Sequence, residues 1–264
     1  MGPLKRLLIA LNPKHRVLLY LEKRLFTDTR LKRVVANSER GKREITRLYG
    51  LRPERICVIY NGIKVSEFKG GSTAAKKKRL RAELAISPEA AVLLFVGSGF
   101  RRKGLLYLIR ALAFLPDDTV LVVIGKGDRR PYEKEAKRLG IGERVIFMGP
   151  VKGAIGNYPL ADVFVLPSIY EPFSNACLEA MASGLVVVTS EVGGVSEVIV
   201  DNVSGGIVKD PADAEALASK IRPFLNKKKA EAAGALARKE ALKHDIDDNV
   251  DEFLGLVDEI LADK

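Results

Sequence analysis

The sequence predicts an α/β fold built on a doubly wound, Rossmann-like parallel sheet, and three observations support this prediction. Apolar runs of strand length alternate with helical segments through most of the 264 residues. The runs are continuously apolar, which is typical of strands that are covered on both faces. Most loops rich in Gly or in charged residues follow a strand, where doubly wound folds bind their ligands.

The N-terminal third is predicted to contain two strands, which frame a helix. The first strand is 33–37, and Ser38 is a suitable N-cap for the helix that follows and stops at Gly50. A second strand is predicted over 55–63, ending in the Asn-Gly pair. Residues 4–26 have leucines at helical spacing between basic residues, which predicts one or two basic amphipathic helices, broken near Pro13.

A longer βα alternation follows a stretch at 64–79 that is rich in Gly, Ser and Lys and is predicted to be a linker. Further strands are predicted at 91–97, 119–125, 144–149, 162–168, 185–190 and 206–208. Helices are predicted at 77–85, 104–115, 131–139, 155–160, from Ser174 or Asn175 onward, and at 212–224, 228–242 and 246–262. The predicted domains are therefore 1–62, a linker at 63–84, a Rossmann-like domain at 85–244 and a final helix in 245–264.

Composition excludes several classes of protein. No run approaches the roughly 18 apolar residues that span a bilayer. Charged residues such as Lys14 and Arg16 interrupt residues 1–26, which therefore do not have the pattern of a signal peptide. Two cysteines and two histidines provide neither a disulfide framework nor a His-based metal centre. We therefore predict a cytoplasmic location and no bound metal.

The net charge of +11 is concentrated at one end of the chain. Residues 1–50 contain 13 Lys and Arg against 4 Asp and Glu, a net charge of +9. Such asymmetry indicates a polyanionic partner, which could be nucleic acid, anionic lipid or a phosphorylated substrate. A solvated helix face explains the same charge without any partner.

The segment "VGSGFRRKG" (96–104) follows a strand and opens a helix. Free backbone amides at a helix start favour an anion, and arginine or lysine adds positive charge. The segment matches neither the G-x-G-x-x-G fingerprint nor the P-loop pattern, so it does not predict a dinucleotide or Walker-type site. Phosphate binding and an exposed basic turn both remain open from these residues alone.

The segment "YEPFSNACLEAM" (170–181) places two carboxylates on either side of a predicted helix start. Glu171 lies just beyond a strand, and Glu179 lies about one turn inside the helix. Carboxylates in this setting are good acceptors for sugar or ribose hydroxyls. A glycoside hydrolase could use the same two groups as its acid and its nucleophile or base.

Taken together, these segments resemble the retaining family 4 glycosyltransferases, which have two facing Rossmann domains (the GT-B arrangement). The E-x7-E pattern in "EPFSNACLEAMASG" is the most specific signal, and "GFRRKG", "VIYNGI" and "GGVSEVI" also match. Within the family, "SNACLEAMASG" and "ANSERGKREITRLYG" resemble bacterial lipopolysaccharide-core glucosyltransferases. The chain would then contain the C-terminal, donor-binding half of the GT-B fold.

The resemblance implies roles for individual residues. Arg102 and Lys103 would bind the donor diphosphate, and Glu171 would hold hydroxyls of the transferred sugar. These three are the predicted catalytic residues, and Glu179 would accept hydrogen bonds from the ribose. The remaining predicted donor-binding residues are Gly97, Gly125, Val151, Phe173, Ser174, Asn175 and Ala176. The donor would be a UDP-sugar, and neither metal nor another cofactor is expected. Ser174 stands where the family often has Gly.

The resemblance also predicts that most of the acceptor-binding domain is missing. The segment "VVANS", which resembles its last strand, begins at Val34, so residues 1–62 would be a remnant of that domain. The acceptor would be a lipopolysaccharide core or a related glycan. The alternative hypothesis is a non-catalytic or split-subunit module that requires a partner chain. Residues 1–50 would contact an anionic membrane, at the inner face of the cytoplasmic membrane, and no nucleic acid is expected.

Overall fold

The structure is a computed structural model, and it describes residues 12–68 and 73–262. These residues form two compact units: one contains the described residues up to Ile59 and from Glu252 onward, and the other contains those between Tyr60 and Asp251. The part of the predicted basic helices before residue 12 lies outside the described residues. In chain order the elements are α1 (Pro13–Thr27), β1 (Val34–Ala36), α2 (Glu39–Tyr49), β2 (Ile56–Val58), α3 (Ala74–Glu83), β3 (Ala91–Val96), α4 (Leu105–Leu112), β4 (Thr119–Ile124), α5 (Arg130–Arg138), β5 (Val145–Gly149), β6 (Val163–Leu166), α6 (Asn175–Ala182), β7 (Val186–Ser190), β8 (Gly205–Val208), α7 (Ala214–Ile221), α8 (Lys227–Ala241) and α9 (Ile246–Ala262).

The smaller unit has a limited core. Its strands β1 and β2 pair in parallel, and the amide of Ile59 adds one more bond to the carbonyl of Ala36 at 2.9 Å. The predicted strand over 55–63 is too long. Strand β2 has only three residues, because its partner β1 is also three residues long. Ser38 caps α2 and Gly50 ends it in the left-handed conformation, as predicted. The buried residues are Ala36, Leu51 and Ile56.

Helix α1 is amphipathic in sequence, but none of its residues is buried. Leu18, Tyr20 and Leu25 are each at least 60% exposed. Phe26, near its end, stacks on Tyr49 of α2 with ring centroids 4.5 Å apart. The helix therefore presents both apolar and basic side chains at its surface.

The larger unit contains a parallel sheet, with six strands among the described residues in the order β5-β4-β3-β6-β7-β8. The inner strands β3, β6 and β7 are almost wholly buried, which explains their continuously apolar sequences. Strands β4 and β5 extend the sheet outward from β3, and strands β7 and β8 extend it in the opposite direction from β6. The structure thus confirms the predicted doubly wound parallel sheet.

Helices cover this sheet on both sides. Helix α4 packs against α5 and α7, while α6 packs against α8. The crossover helices of the two halves lie on opposite faces, because the two halves of the sheet are wound in opposite directions. The predicted helix at 155–160 is a 3₁₀ turn over Ala154–Leu160 with Pro159 inside it. The predicted helix 212–224 ends at Ile221, where a 3₁₀ turn that contains Pro223 begins.

The predicted linker at 63–84 differs from the structure. Ile63 and Phe68 are buried in the core of the larger unit, and α3 is an ordered helix packed on the 3₁₀ turn at 154–160. The predicted domain 85–244 therefore begins too late, since the unit starts at Tyr60. The predicted final segment 245–264 contains α9, but the division between the units falls inside this helix, after Asp251.

A buried ion pair anchors α3 to the sheet. Arg81 is 6% exposed and donates to the carbonyls of Leu160 at 2.8 Å and Ala90 at 3.0 Å. Its guanidinium also lies 2.7 Å from Oδ2 of Asp162, while Lys77 lies 2.6 Å from the other oxygen. Burial would raise the pKa of Asp162, but the lysine, the Val92 amide and Arg81 outweigh it and lower the pKa. The helix is thus fixed at the start of both β3 and β6.

We expect Arg81→Ala to lower the free energy of unfolding by about 3 kcal/mol, because it leaves the buried carbonyls of Leu160 and Ala90 without this donor and removes one of the two cations paired with Asp162. Urea denaturation measures this change. The matched control is Arg79→Ala on the same helix, whose exposed pair with Glu83 should contribute less than about 0.5 kcal/mol. Equal effects of the two substitutions would contradict this account of the anchor.

The same anchor has a predictable pH dependence. Because folding lowers the pKa of Asp162, its contribution is present above the unfolded value, near pH ~4, and is lost as the pH falls through the lower folded value. The difference in stability between the protein and Arg81→Ala should therefore shrink on acidification.

Candidate active site

The candidate site lies where the strand order reverses. Strands β3 and β6 are neighbours in the sheet, and the loops that follow them leave in opposite directions. The loop after β3 carries Arg102 and Lys103, and the loop after β6 carries Glu171. The amide of Ile169 donates to the carbonyl of Arg102 at 2.8 Å, so the two loops are joined through their main chains. This is the position at which doubly wound sheets bind ligands.

Glu171 brings the three predicted catalytic residues together. Its Oε2 atom lies 3.0 Å from Nη1 of Arg102 and 3.3 Å from Nζ of Lys103. The side chains of Glu171 and Lys103 are 11% and 13% exposed, whereas that of Arg102 is 46% exposed. Neither contact has hydrogen-bond geometry, and among the described residues this oxygen has no hydrogen bond. Charge therefore holds the carboxylate.

The main chain of Glu171 is also fixed. Its carbonyl accepts from the amide of Gly194 at 3.0 Å, and it forms an isolated parallel bridge with Gly193. Arg102 adds a hydrogen bond from Nη1 to the carbonyl of Tyr170 at 2.9 Å. Three loops, after β3, β6 and β7, therefore meet around this carboxylate.

Two of the predicted donor-binding glycines allow close packing beside Lys103. A methyl group on Gly97 would lie 2.5 Å from Cδ of Lys103, so the lysine stem crosses directly over this glycine. A methyl group on Gly125 would lie 2.1 Å from the carbonyl oxygen of Gly97. The residue type at both positions is therefore dictated by space, and Gly97 helps to position the Lys103 ammonium.

The start of α6 contains four more of the predicted residues. The Ser174 hydroxyl accepts from the amide of Cys177 and caps the helix, so a serine at this position stabilises the helix start. Phe173 is buried, and its ring centroid lies 5.7 Å from that of Tyr60. Asn175 is exposed, and its Oδ1 accepts from Nδ2 of Asn61 at 2.8 Å. The fourth residue, Ala176, is half-buried.

Glu179 has a different environment from Glu171. The hydroxyl of Tyr158, a fully buried side chain, donates to its Oε2 at 2.7 Å. Burial and the nearby charge of Glu67 raise the pKa of Glu179, while the Tyr158 hydrogen bond and the charge of Lys103 oppose that shift. Burial, followed by the charge of Glu179, raises the pKa of Tyr158. The tyrosine thus stays protonated and acts as a donor.

The remaining predicted residue, Val151, is half-buried beyond the end of β5 and packs against the core. None of the contacts described above reaches it. In the ranges 12–68 and 73–262, no group of His, Cys, Asp and Glu side chains could hold a metal ion. In the same ranges, no helix has the length and apolar character needed to cross a membrane.

Three positioning residues were missed by sequence reasoning. Tyr158 contacts Glu179, Asn61 contacts Asn175, and Tyr60 packs on Phe173 while its hydroxyl donates to Glu197 at 3.0 Å. Tyr158 lies inside a short 3₁₀ turn with no motif of its own. Tyr60 and Asn61 lie in "VIYNGI", and this matched segment was the only signal that could have pointed to them.

Comparison with protein families identifies the chain. Residues 76–240 match the model of glycosyl transferases group 1, and residues 2–67 match that of glycosyltransferase family 4. The first match covers more than half of the chain and contains the ion cluster, Tyr158 and Glu179. The protein therefore belongs to the group 1 glycosyl transferases, and its parallel sheet is the Rossmann-like half of their GT-B fold.

Individual relatives support this assignment. A D-inositol 3-phosphate glycosyltransferase of Corynebacterium kroppenstedtii is 38% identical over 196 residues, which are 69% of this chain and 43% of the relative. The structure of WaaG, a glycosyltransferase involved in lipopolysaccharide biosynthesis, superposes with a TM-score of 0.80 at 28% identity and covers 93% of this chain and 66% of that one.

A further structure, HepE of Anabaena in complex with UDP-glucose, has a TM-score of 0.79 at 24% identity and covers 86% and 64% of the two chains. This likeness shows the fold. The chain spans about half the length of the curated relatives it matches.

The hydrogen bond between Tyr158 and Glu179 can be tested directly. We expect Tyr158→Phe to raise the pKa of Glu179 further, because the phenol stabilises the carboxylate, and to cost about 1–3 kcal/mol of stability. Carbon-detected NMR titration of the glutamate carboxyl groups measures the pKa. Tyr107→Phe, at a half-buried tyrosine without a hydrogen bond among the described residues, is the control. An unchanged pKa for Glu179 in Tyr158→Phe would refute the assigned role.

Proposed function

We propose that the chain binds a nucleotide-diphosphate sugar, a UDP-hexose, and forms the donor side of a retaining glycosyltransferase. One observation carries the proposal: Arg102 and Lys103 converge on Glu171 at the point where the strand order reverses. The site therefore combines two cations for a diphosphate with a carboxylate for hydroxyl groups. The UDP-glucose complex of the similar HepE structure is consistent with this donor.

The two cations would stabilise the leaving group. In the transfer, the bond between the anomeric carbon and the β-phosphate oxygen breaks, and that oxygen keeps the electron pair. The acceptor oxygen forms the new bond to the anomeric carbon, and its proton passes to the released diphosphate. Preorganised positive charge beside the departing oxygen lowers the barrier, because negative charge develops there. Arg102 and Lys103 can supply that charge without a metal.

The carboxylates would orient the donor. The Oε2 atom of Glu179 accepts a hydrogen bond from Tyr158, which leaves Oε1 to accept from ribose hydroxyls. Glu171 would accept from sugar hydroxyls once the diphosphate has taken over part of the charge of Arg102 and Lys103. The Ser174 hydroxyl uses the amide of Cys177, so the amides of Asn175 and Ala176 at the start of α6 are available to a phosphate.

For the acceptor, we propose a lipopolysaccharide core or a related glycan. The WaaG structure, which at 28% identity covers 93% of this chain, supports this choice. The Corynebacterium relative is named for inositol 3-phosphate, so an inositol phosphate is the competing acceptor. Assays that offer each acceptor with the same UDP-sugar would distinguish them.

A second candidate function is a donor-binding subunit that needs a partner chain for transfer. The exposed apolar residues of α1, with Leu18 and Leu25 at least 60% exposed, favour a protein surface that another chain covers. On this hypothesis UDP-sugar binding is retained and transfer is absent until the partner is added. Transfer by the isolated chain would rule this hypothesis out.

The basic N-terminal region provides a further proposal, that residues 1–50 contact an anionic membrane surface. Helix α1 combines exposed leucines with basic residues, a composition typical of interfacial helices. We expect the protein to sediment with vesicles that contain anionic lipid, and less so as salt is raised, because screening weakens the attraction. Equal binding to neutral vesicles would contradict the proposal.

The donor site is tested by titrating the protein with UDP and UDP-glucose in a calorimeter. We expect Lys103→Ala to weaken UDP binding by about 10- to 100-fold, the effect of losing one charge-assisted hydrogen bond. Lys134→Ala, at an exposed lysine of α5 with no ion pair among the described residues, should leave the affinity unchanged. Absence of UDP binding, or equal affinities in both variants, would refute the donor site.

Glu171→Gln separates the two roles of the cluster. The substitution frees both cations from a carboxylate, so we expect UDP affinity to be kept or increased. It also removes the hydroxyl acceptor, so any gain in affinity from UDP to UDP-glucose should disappear. Loss of UDP binding in this variant would show that Glu171 serves only to position the cations. Hydrolysis of a simple glycoside without nucleotide would instead favour a glycoside hydrolase.

A further inference from the structure

A cleft distinct from the proposed donor site opens on the larger unit, beside the loop that carries Arg102. It has a volume of about 560 Å³, and aromatic residues form much of its lining. The residues that define its chemistry are Phe100, Arg101, Asp128, Tyr132, Ile169 and Tyr170. None of these is among the residues to which the proposed donor site assigns a role. Arg102 lies along the edge of the cleft, so the cleft borders the donor site.

Packed aromatic rings form the floor of the cleft. Phe100 is buried, and its ring lies 5.5 Å from that of Tyr132 and 6.0 Å from that of Phe95, both in edge-to-face contact. Tyr132 is half-buried, which leaves part of its ring towards the cleft. Such a floor requires little reorganisation when a ligand binds.

Apolar surface in the wall is exposed but held in place. Ile169 and Tyr170 are 44% and 48% exposed, so both present apolar surface to solvent. Their main chains are fixed by Arg102, which accepts from the amide of Ile169 and donates to the carbonyl of Tyr170. Aromatic and aliphatic faces of this kind pack well against the faces of a sugar ring.

The charge at the rim is positive and is only partly paired. Asp128 pairs with Arg130 at 2.8 Å, Glu133 with Arg129 at 3.1 Å, and Glu171 with Arg102. Arg101, which lines the cleft, forms no ion pair within 12–68 and 73–262. Arg101 and Tyr132 both line the cleft, and the charge of Arg101 opposes the rise that burial causes in the pKa of Tyr132. An exposed, unpaired guanidinium is suited to bidentate binding of a phosphate.

We propose that this cleft binds a phosphorylated sugar, with the ring against Tyr132 and Tyr170 and the phosphate on Arg101. The role that we assign to this ligand, as the acceptor, rests on the proposed glycosyl transfer, whereas binding itself does not. A neutral glycan would use the aromatic surface but not Arg101. The unpaired charge therefore favours a sugar that carries phosphate, and the position beside Arg102 and Glu171 places it next to the donor.

The experiment uses the full chain with glucose 6-phosphate and glucose as probes, followed by ligand-observed NMR. We expect glucose 6-phosphate to bind about tenfold more tightly than glucose, because only the phosphate pairs with Arg101. Arg101→Gln should abolish this preference, and Tyr170→Ala should weaken both probes. Arg129→Gln, an arginine already paired with Glu133, is the matched control and should keep the preference.

Titration with saturating UDP separates this inference from the proposed donor site. Binding of glucose 6-phosphate that persists in UDP supports a separate subsite. Displacement by UDP would assign the cleft to the donor and overturn the inference, as would equal affinities for the two probes or an unchanged preference in Arg101→Gln. If glucose 6-phosphate binds but UDP does not, the proposed donor site is refuted and the proposed binding of a phosphorylated sugar in the cleft is supported.

Discussion

A buried carboxylate paired with two cations organises the candidate site. Removing Glu171 from water is unfavourable unless opposite charge accompanies it, and Arg102 and Lys103 provide that charge at 3.0 and 3.3 Å. The partners come from the loop after β3, whereas the carboxylate follows β6. The electrostatic requirement therefore joins the two halves of the doubly wound sheet at the point where their directions diverge.

The two glutamates of the E-x7-E pattern are held in physically different ways. Glu171 is held by charge and has no hydrogen bond to Oε2 among the described residues, whereas Glu179 accepts a hydrogen bond from the buried Tyr158. An ion pair without hydrogen-bond geometry can be exchanged for another anion more readily than a buried, aligned hydrogen bond. The arrangement fits a site in which a diphosphate enters beside Glu171 and the position of Glu179 stays fixed.

Local sequence predicted those features that depend on neighbouring residues. The cap at Ser38, a helix that begins near Ser174, the stop at Gly50 and the buried strands of the sheet all follow from short-range rules. The predicted linker was wrong for the opposite reason. The helix predicted at 77–85 was assigned to a linker, but it packs on the larger unit because Arg81 is held by Asp162, a residue 81 positions later, and no local pattern contains that contact.

The sequence by itself determined the parallel α/β fold, the loops that carry the site and the residue types within them. Apolar periodicity, glycine positions and charge are properties of short segments, which explains why they were sufficient. Only the tertiary structure decided that Arg102 and Lys103 meet Glu171, that Tyr158 holds Glu179, and that Arg101 is left unpaired beside an aromatic cleft. Each of these depends on the strand order, which places loops from distant parts of the chain side by side.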